Sequence, residues 1–171
     1  GSSNARDEAT PADAGGGGEG GVDGGADVVI PPGCELKTEP KDAPKCVVSE
    51  VGVFVDAANG ADSGAGTKEA PVKTIGAALG KLAGKPRIYE CEGTYAERVS
   101  ITSAVSIYGG FACGTWSPSS IKAKVAPATA GYALEIAGTK GDVVVSDMAF
   151  VAMGAAAMGE SSVAVFVHSA S

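Results

Sequence analysis

Short runs rich in Val and Ile recur through the chain, and they constrain its fold more than any other feature. They lie at residues 87–90, 98–101, 105–108, 121–125, 133–136, 143–146 and 163–167. Gly, Thr, Ser and Asp separate the runs, and β-branched residues bounded by such turn formers are typical of β-strands. The sequence therefore predicts a sheet protein built from many short strands.

The order of the runs decides between an antiparallel sandwich and stacked coils. The similar runs form three alternating sets: 98–101 with 133–136 and 164–167, 105–111 with 144–150, and 53–56 with 87–90 and 121–124. Faces that return in a fixed order, roughly every 30 to 35 residues, indicate a solenoid of triangular coils with parallel sheets. The extra length lies at 112–120 and 154–162, which we interpret as loops at one corner.

A short helix is predicted ahead of the coils, over residues 72–83. Its apolar positions have the i, i+3, i+4, i+7 spacing of one helix face: Ile75, Ala78, Leu79 and Leu82. Thr74 lies just before this face and Gly84 just after it, which are typical residues for the start and the end of a helix.

The segment from residue 53 to residue 101 also carries several motifs in a fixed order. They are Asn59-Gly60, Asp62-Ser63, Gly66-Thr67, Pro71, Thr74-Ile75, Ile88-Tyr89 and Gly93-Thr94-Tyr95. In this order the segment resembles the entry module of bacterial right-handed parallel β-helix proteins of the pectate-lyase-like superfamily. The resemblance implies that the helix at 72–83 caps the N-terminal end of the coils. It implies little about function, because the same module heads lyases, hydrolases, adhesins and other surface proteins.

Residues 1–30 differ in composition from the rest of the chain. They hold six acidic residues and one basic residue, Arg6, so they contribute −5 (1 − 6) to the formal net charge of −7. A Gly-rich, acidic segment cannot bury enough apolar surface to order itself, and we expect a disordered tether. Residues 31–171 carry the remaining −2. A nucleic-acid partner requires a basic stripe, so we expect none.

The ends of the sequence lead to two further expectations. The chain opens on Gly-Ser-Ser-Asn-Ala without Met, which suits either a mature chain after signal removal or an added N-terminal sequence. It contains no run of about 18 apolar residues, so we expect no transmembrane segment. It ends soon after the run at 163–167, and we expect further coils beyond Ser171. The alternative is an uncapped last coil that is covered by a partner or takes part in end-to-end association.

Four cysteines indicate the compartment. Their even number, without a Cys-x-x-Cys motif and with a single His, favours disulfides over a zinc site. Three pairings are possible, and we favour Cys34–Cys46, which would close a Pro-rich lead-in at 31–50, together with Cys91–Cys113. Disulfides form in oxidising compartments, so we expect an exported protein, extracellular or on the outer cell surface. Four free thiols in a cytoplasmic protein are the alternative.

One loop offers ligands for a metal ion. Asp56, Asn59 and Asp62 supply the oxygen atoms that Ca²⁺ prefers, although their spacing is not that of an EF-hand and both residue types also form turns. No other cofactor is expected.

Aromatic residues offer a second candidate site. Trp116, together with Tyr108, Phe111 and Tyr132, could provide a platform on which a sugar ring stacks. The alternative is that Trp116 packs its own loop against the coil.

Catalytic candidates are weaker. Glu90, Glu92 and Glu97 could supply a carboxylate pair for acid–base work on a sugar, but they also suit a solvated turn. His168 has no nearby acid other than Glu160. The resemblance implies an Arg base and acidic Ca²⁺ ligands in pectate lyases, and this chain has no Arg after residue 98.

Two hypotheses about function follow. The first is a secreted or surface-tethered β-helix module without catalytic activity, which binds a polysaccharide or a surface protein or has a structural role. The second is the N-terminal part of a polysaccharide lyase or glycoside hydrolase whose catalytic coils lie beyond residue 171. The presence of disulfides and the missing catalytic set favour the first.

Overall fold

The computed structural model describes residues 27–154, 158 and 161–168. Within them the chain forms these elements: β1 (Gly52–Val55), α1 (Ile75–Gly80), β2 (Arg87–Cys91), β3 (Gly93–Tyr95), β4 (Val99–Ile101), β5 (Val105–Phe111), β6 (Ala123–Val125), β7 (Tyr132–Ala137), β8 (Val143–Ser146), β9 (Met148–Phe150) and β10 (Val163–His168). Most of the predicted tether at 1–30 lies outside the described residues, so that prediction is untested.

The strands form three sheets, and every pairing between the named strands is parallel. The first sheet has the order β1-β2-β5-β8, the second β3-β6-β9 and the third β4-β7-β10. After β2, the chain visits the three sheets in turn and returns each time one strand further along. The described part is thus an all-β structure of parallel sheets with one α-helix.

The register of the third sheet follows the predicted alignment residue for residue. Val99 pairs with Leu134, and Ile136 pairs with both Ile101 and Val167. In a parallel sheet with one face buried, a shift of one residue would turn every apolar side chain outward. The alternation of polar and apolar residues therefore fixed this alignment.

The predicted sets for the other two sheets were partly wrong. The run at 121–124 was grouped with 87–90, but β6 pairs with β3 and β9 in the second sheet. The run at 105–111 was given a separate face, but β5 pairs with β2 in the first sheet. The prediction failed because β3 was not recognised as a strand: it is three residues long and begins with Gly93.

Apolar side chains from all three sheets share one core. In the first sheet, Val53, Ile88, Ile107 and Val145 lie in register on four neighbouring strands, and all four belong to or pack against this core. Similar β-branched side chains thus stack on one another from strand to strand. Each such side chain contributes roughly 1.5–3 kcal/mol when fully buried, so the core is the main source of stability.

Helix α1 is shorter than predicted, but it lies where the resemblance places a cap. The Thr74 side chain accepts a hydrogen bond from the Ala77 N–H and begins the helix, which ends at Gly80 rather than at residue 83. Ile75 and Ala78 are fully buried in the common core. The helix packs against β1 and β4, which are the first strands of the first and third sheets. It therefore covers one end of the core.

Residues 27–50 lie across the outer face of the first sheet, and we call them the strap. Arg87 on β2 donates hydrogen bonds to the carbonyl oxygens of Leu36 (2.6 Å) and Thr38 (2.8 Å). At the far strand, Lys41 forms an ion pair with Asp147 (2.7 Å) just after β8. The strap thus contacts the sheet from β2 to the end of β8, and the outward side chains of β2, Arg87 and Tyr89, are buried.

Both predicted disulfides are present. Cys34–Cys46 closes the strap upon itself, in agreement with the prediction for the lead-in at 31–50. Cys91–Cys113 joins the end of β2 to the loop between β5 and β6. No cysteine in the described part is free. Closing loops of this size contributes roughly 3 kcal/mol each.

The other end of the sheets is open within the described residues. β8, β9 and β10 each form the edge of their sheet, and Val165 and Val167 on β10 are 42% and 65% exposed. The expected end-to-end association through this coil stays a prediction.

One corner between the first and second sheets leaves no space for a side chain. A Cβ atom at Gly109 would lie 2.4 Å from the carbonyl oxygen of Asp147, in the next turn of the chain. Gly109 and Asp147 directly follow Tyr108 and Ser146, the last residue pair in the parallel register of β5 with β8. The close approach of these two segments therefore requires a glycine at this position.

We expect Gly109→Ala to destabilise the protein by about 1–3 kcal/mol, because the backbone of two strands must move to relieve the overlap. Gly80→Ala is the matched control: an added Cβ meets nothing within 4 Å at the end of α1, so this substitution should be neutral or stabilise by up to about 1 kcal/mol. Urea unfolding of both variants measures the difference. Equal stabilities would contradict the described corner.

Candidate functional site

The outer face of the third sheet carries polar and aromatic side chains on successive strands. Ser100, Glu135 and Phe166 lie opposite one another on β4, β7 and β10. Their neighbours Val99 and Leu134 belong to the core. Since alternate residues of a strand point to opposite faces, this row points away from the core.

Glu135 is the centre of a polar network on this face. Its carboxylate accepts a hydrogen bond from the Ser100 hydroxyl (3.3 Å), and its other oxygen lies 3.2 Å from Nε2 of His168. The hydrogen bond with His168, followed by those from Tyr132 and Ser100, lowers the pKa of Glu135. The carboxylate therefore stays ionised and holds the surrounding donors in place.

Aromatic rings flank this network. Tyr132 and Phe166 line a shallow apolar depression of about 210 Å³ with Gly131, Ser161 and Val163. The Phe166 residue is 46% exposed, and its ring centroid lies 5.1 Å from that of His168. The Arg98 guanidinium carbon lies 5.6 Å from the centroid of the Tyr132 ring. Accessible rings thus stand next to charged and hydroxyl groups. We call these six residues, Arg98, Ser100, Tyr132, Glu135, Phe166 and His168, the outer-face cluster.

The order of the hydrogen bonds argues against a hydrolytic triad in this cluster. In such a triad, His lies between the Ser nucleophile and the acid and takes the proton from the Ser hydroxyl. Here Glu135 lies between Ser100 and His168. The arrangement is suited to binding rather than to activating Ser100.

The predicted aromatic platform does not present its rings to solvent. Phe111 is fully buried, while Trp116 and Tyr108 are 4% and 7% exposed. The Trp116 ring packs on its edge against Phe54, with 4.7 Å between centroids. The structure thus favours the alternative, in which Trp116 packs its loop against the coil. Of the four residues named, only Tyr132 lies in the outer-face cluster.

Asp56 and Asn59 act as turn residues. The Asp56 carboxylate accepts hydrogen bonds from the backbone N–H groups of Ala58 and Asn59 (both 2.9 Å) and from the Asn59 side-chain amide. A hydrogen-bonded turn of this kind is the alternative to a Ca²⁺ site.

Asp62, the third predicted ligand, lies at the start of α1. One of its oxygens accepts hydrogen bonds from the backbone N–H groups of Lys73 (3.1 Å) and Thr74 (2.9 Å), and from the Thr74 hydroxyl. The Ca²⁺ site at Asp56, Asn59 and Asp62 stays a prediction, and these bonds explain the three side chains without it.

The three predicted carboxylates have different surroundings. Glu90 is fully buried. Glu92 accepts a hydrogen bond from the Ser119 hydroxyl (2.7 Å). Glu97 accepts hydrogen bonds from the backbone N–H groups of Ile75 (2.8 Å) and Gly76 (3.0 Å) at the start of α1. Glu90 and Glu97 thus have structural surroundings rather than those of a carboxylate pair open to a substrate.

Sequence reasoning did not identify the outer-face cluster as a site, although its alignment of the strands indicated part of it. The predicted alignment of 98–101, 133–136 and 164–167 already placed Ser100, Glu135 and Phe166 in one row. What the sequence did not indicate was that His168, two residues further along β10, reaches back to Glu135. That contact depends on side-chain length and on the twist between strands.

The chain was compared with protein-family models, with curated proteins and with solved structures. No family model, no curated protein and no solved structure matches the chain. In addition, no helix in the described part is long and apolar enough to cross a membrane. Functional inference therefore depends on the residues themselves.

We expect Asp62→Ala to destabilise the protein by about 1 kcal/mol, because three donors at the start of α1 lose their acceptor. Asp62→Asn retains an oxygen at this position and should cost less. Thermal unfolding with and without Ca²⁺ separates capping from metal binding. If Ca²⁺ raises the melting temperature of the wild type but not that of Asp62→Asn, the metal interpretation is correct and the capping role is secondary.

Proposed function

We propose that this chain belongs to an exported, right-handed parallel β-helix protein that binds a polysaccharide through the outer-face cluster without cleaving it. The observation that carries the proposal is the row of Ser100, Glu135 and Phe166 next to the half-buried Tyr132. Sugar rings combine apolar faces with hydroxyl groups, so proteins bind them with aromatic rings next to hydrogen-bonding side chains.

The sheet geometry supports an extended ligand. Neighbouring strands lie about 4.8 Å apart, so β4, β7 and β10 offer side chains at regular intervals along one line. A linear polysaccharide that crosses these strands would meet Ser100 first, then Glu135, then Phe166. A binding face of this kind requires no movement of the backbone.

The β-helix architecture is supported by the recurrence of strands. From β2 onward, each of the three parallel sheets takes every third strand, and α1 covers the end at which the resemblance to pectate-lyase-like proteins implies a cap. Right-handedness comes from that resemblance and from the general preference of parallel crossover connections.

Export is supported by the two disulfides, because cytosolic reductants keep most thiols reduced. Attachment to the outer cell surface through residues 1–30 is part of the same proposal. The Gly-rich, acidic composition of that segment supports this attachment.

The second hypothesis, an N-terminal part of a lyase or glycoside hydrolase, is kept as the alternative. It draws on the same resemblance. The outer-face cluster favours binding, since Glu135 is its one carboxylate and it is held by Ser100 and His168.

Binding can be tested with a panel of soluble polysaccharides, neutral and uronate-containing, measured by calorimetry and by affinity electrophoresis. We expect Phe166→Ala and Tyr132→Ala to weaken binding of a positive member at least about tenfold, equivalent to about 1.4 kcal/mol. Ile121→Ala is the matched control, because Ile121 is an exposed apolar residue (59%) outside the cluster.

Two results would contradict the proposal: no binding to any member of the panel, or binding that Phe166→Ala and Tyr132→Ala leave unchanged. Release of reducing ends or of unsaturated products from a bound polysaccharide would support the enzymatic alternative instead.

A further inference from the structure

Strand β2 carries an acidic side chain inside the protein core. Glu90 is fully buried, and neither of its carboxylate oxygens has a hydrogen-bond partner among the described residues. It lies opposite Val55 on β1 and points to the same face as Ile88, a core residue. Buried polar groups almost always have partners, so this carboxyl group requires an explanation.

Within the part of the chain that the structure describes, no basic side chain forms a hydrogen bond or an ion pair with Glu90. Arg87 lies on the opposite face of β2, where it binds carbonyl groups of the strap. Lys73 lines a cleft of about 210 Å³ at the start of α1, together with Tyr95 and Glu97. The structure records no ion pair between Lys73 and any described residue. A base that could neutralise Glu90 is therefore not in contact with it.

The titratable groups near Glu90 are acids and a phenol. Glu97 lies between β3 and β4, Asp56 follows β1, and Tyr95 lies at the end of β3. The Tyr95 hydroxyl is directed to the carbonyl oxygens of Val55 (3.0 Å) and Cys91 (2.9 Å), which flank Glu90 on β1 and β2. Burial raises the pKa of Tyr95, and the nearby charges of Asp56 and Glu97 raise it further. The surroundings thus disfavour any additional negative charge.

The same two causes act on Glu90 itself. Removal of a carboxylate from water into an apolar core favours its neutral form. Burial accordingly raises the pKa of Glu90 well above its ordinary value, and the nearby charge of Glu97 raises it further. A proton on Glu90 removes the unpaired charge without any movement of the backbone.

We propose that Glu90 is a protonated, neutral carboxylic acid in the folded protein, and that its ionisation at higher pH releases helix α1 and the first strands. Tyr95 and Glu97 line the cleft at the start of α1, and we infer that water reaches Glu90 from this side. This helix is held there by polar contacts to Asp62 and Glu97, which water can replace, and by the buried side chains of Ile75 and Ala78, which its release exposes.

The sign of the effect follows from proton linkage. Between the ordinary pKa of a Glu and the raised pKa of Glu90, the folded state holds one proton more than the unfolded state. The unfolding equilibrium constant therefore rises about tenfold per pH unit through this window because of Glu90 alone. The contribution of Glu90 to the free energy of unfolding is therefore complete below the ordinary pKa of Glu. It is lost as the pH rises towards the raised pKa of Glu90.

The test compares urea unfolding of wild type, Glu90→Gln and Glu69→Gln from about pH 5 to about pH 8, a range that starts above the ordinary pKa of Glu. Glu90→Gln keeps the shape of the side chain without the titrating proton. We expect it to remove the tenfold-per-unit dependence and to be more stable than wild type at about pH 8. Glu69 is exposed, so its variant should follow the wild type.

Hydrogen exchange of the wild type provides an independent readout that needs no variant. Protection of the amides at 75–80 and 52–55, corrected for the intrinsic pH dependence of exchange, should fall as the pH rises, while protection at 133–136 changes less. Uniform loss across all three segments would overturn the local release.

Calcium and magnesium titrations complete the test. A cation bound by ionised Glu90 would stabilise the wild type at about pH 8 and leave Glu90→Gln unaffected, and this result would overturn the proposal. Equal stability of wild type and Glu90→Gln at all pH values would overturn it as well.

Discussion

In-register stacking of apolar side chains on successive parallel strands determines the position of almost every other group in this protein. Val53, Ile88, Ile107 and Val145 form one such line through the first sheet. Successive side chains of a strand point to opposite faces. The stacking that fixes the inward side chains therefore fixes the outward ones as well. The same constraint that builds the core therefore sets the distance between side chains on the outside, and it leaves no space for a Cβ atom at Gly109.

The departures from this pattern occur on β2. Its inward face carries Glu90, and its outward face carries Arg87 and Tyr89, which the strap covers. β2 is therefore buried on both faces, and each face carries an ionisable side chain. Hydrogen bonds to carbonyl oxygens of the strap accommodate Arg87, and a neutral state accommodates the carboxyl group of Glu90.

Sequence reasoning reached the parallel sheets, the capping helix and both disulfides, because each depends on local periodicity or on spacing along the chain. It misplaced 121–124, because a three-residue strand that begins with Gly93 has too little pattern to be recognised. It left open whether Trp116, with Tyr108 and Phe111, forms an exposed platform or packs its loop inward. All three are buried, and the residues of a strand do not indicate that another segment covers its outer face.

The position of the strap has a mechanical consequence. A pulling force applied to the chain ahead of Asp27 enters the domain through the strap. From there it passes to the first sheet through three contacts: the Arg87 hydrogen bonds, the hydrogen bond from the Tyr89 hydroxyl to the Cys46 carbonyl oxygen, and the Lys41–Asp147 ion pair next to β8. The Cys34–Cys46 link limits how far the strap can lengthen. Force is thereby shared among neighbouring strands, so that β1 is not peeled away alone.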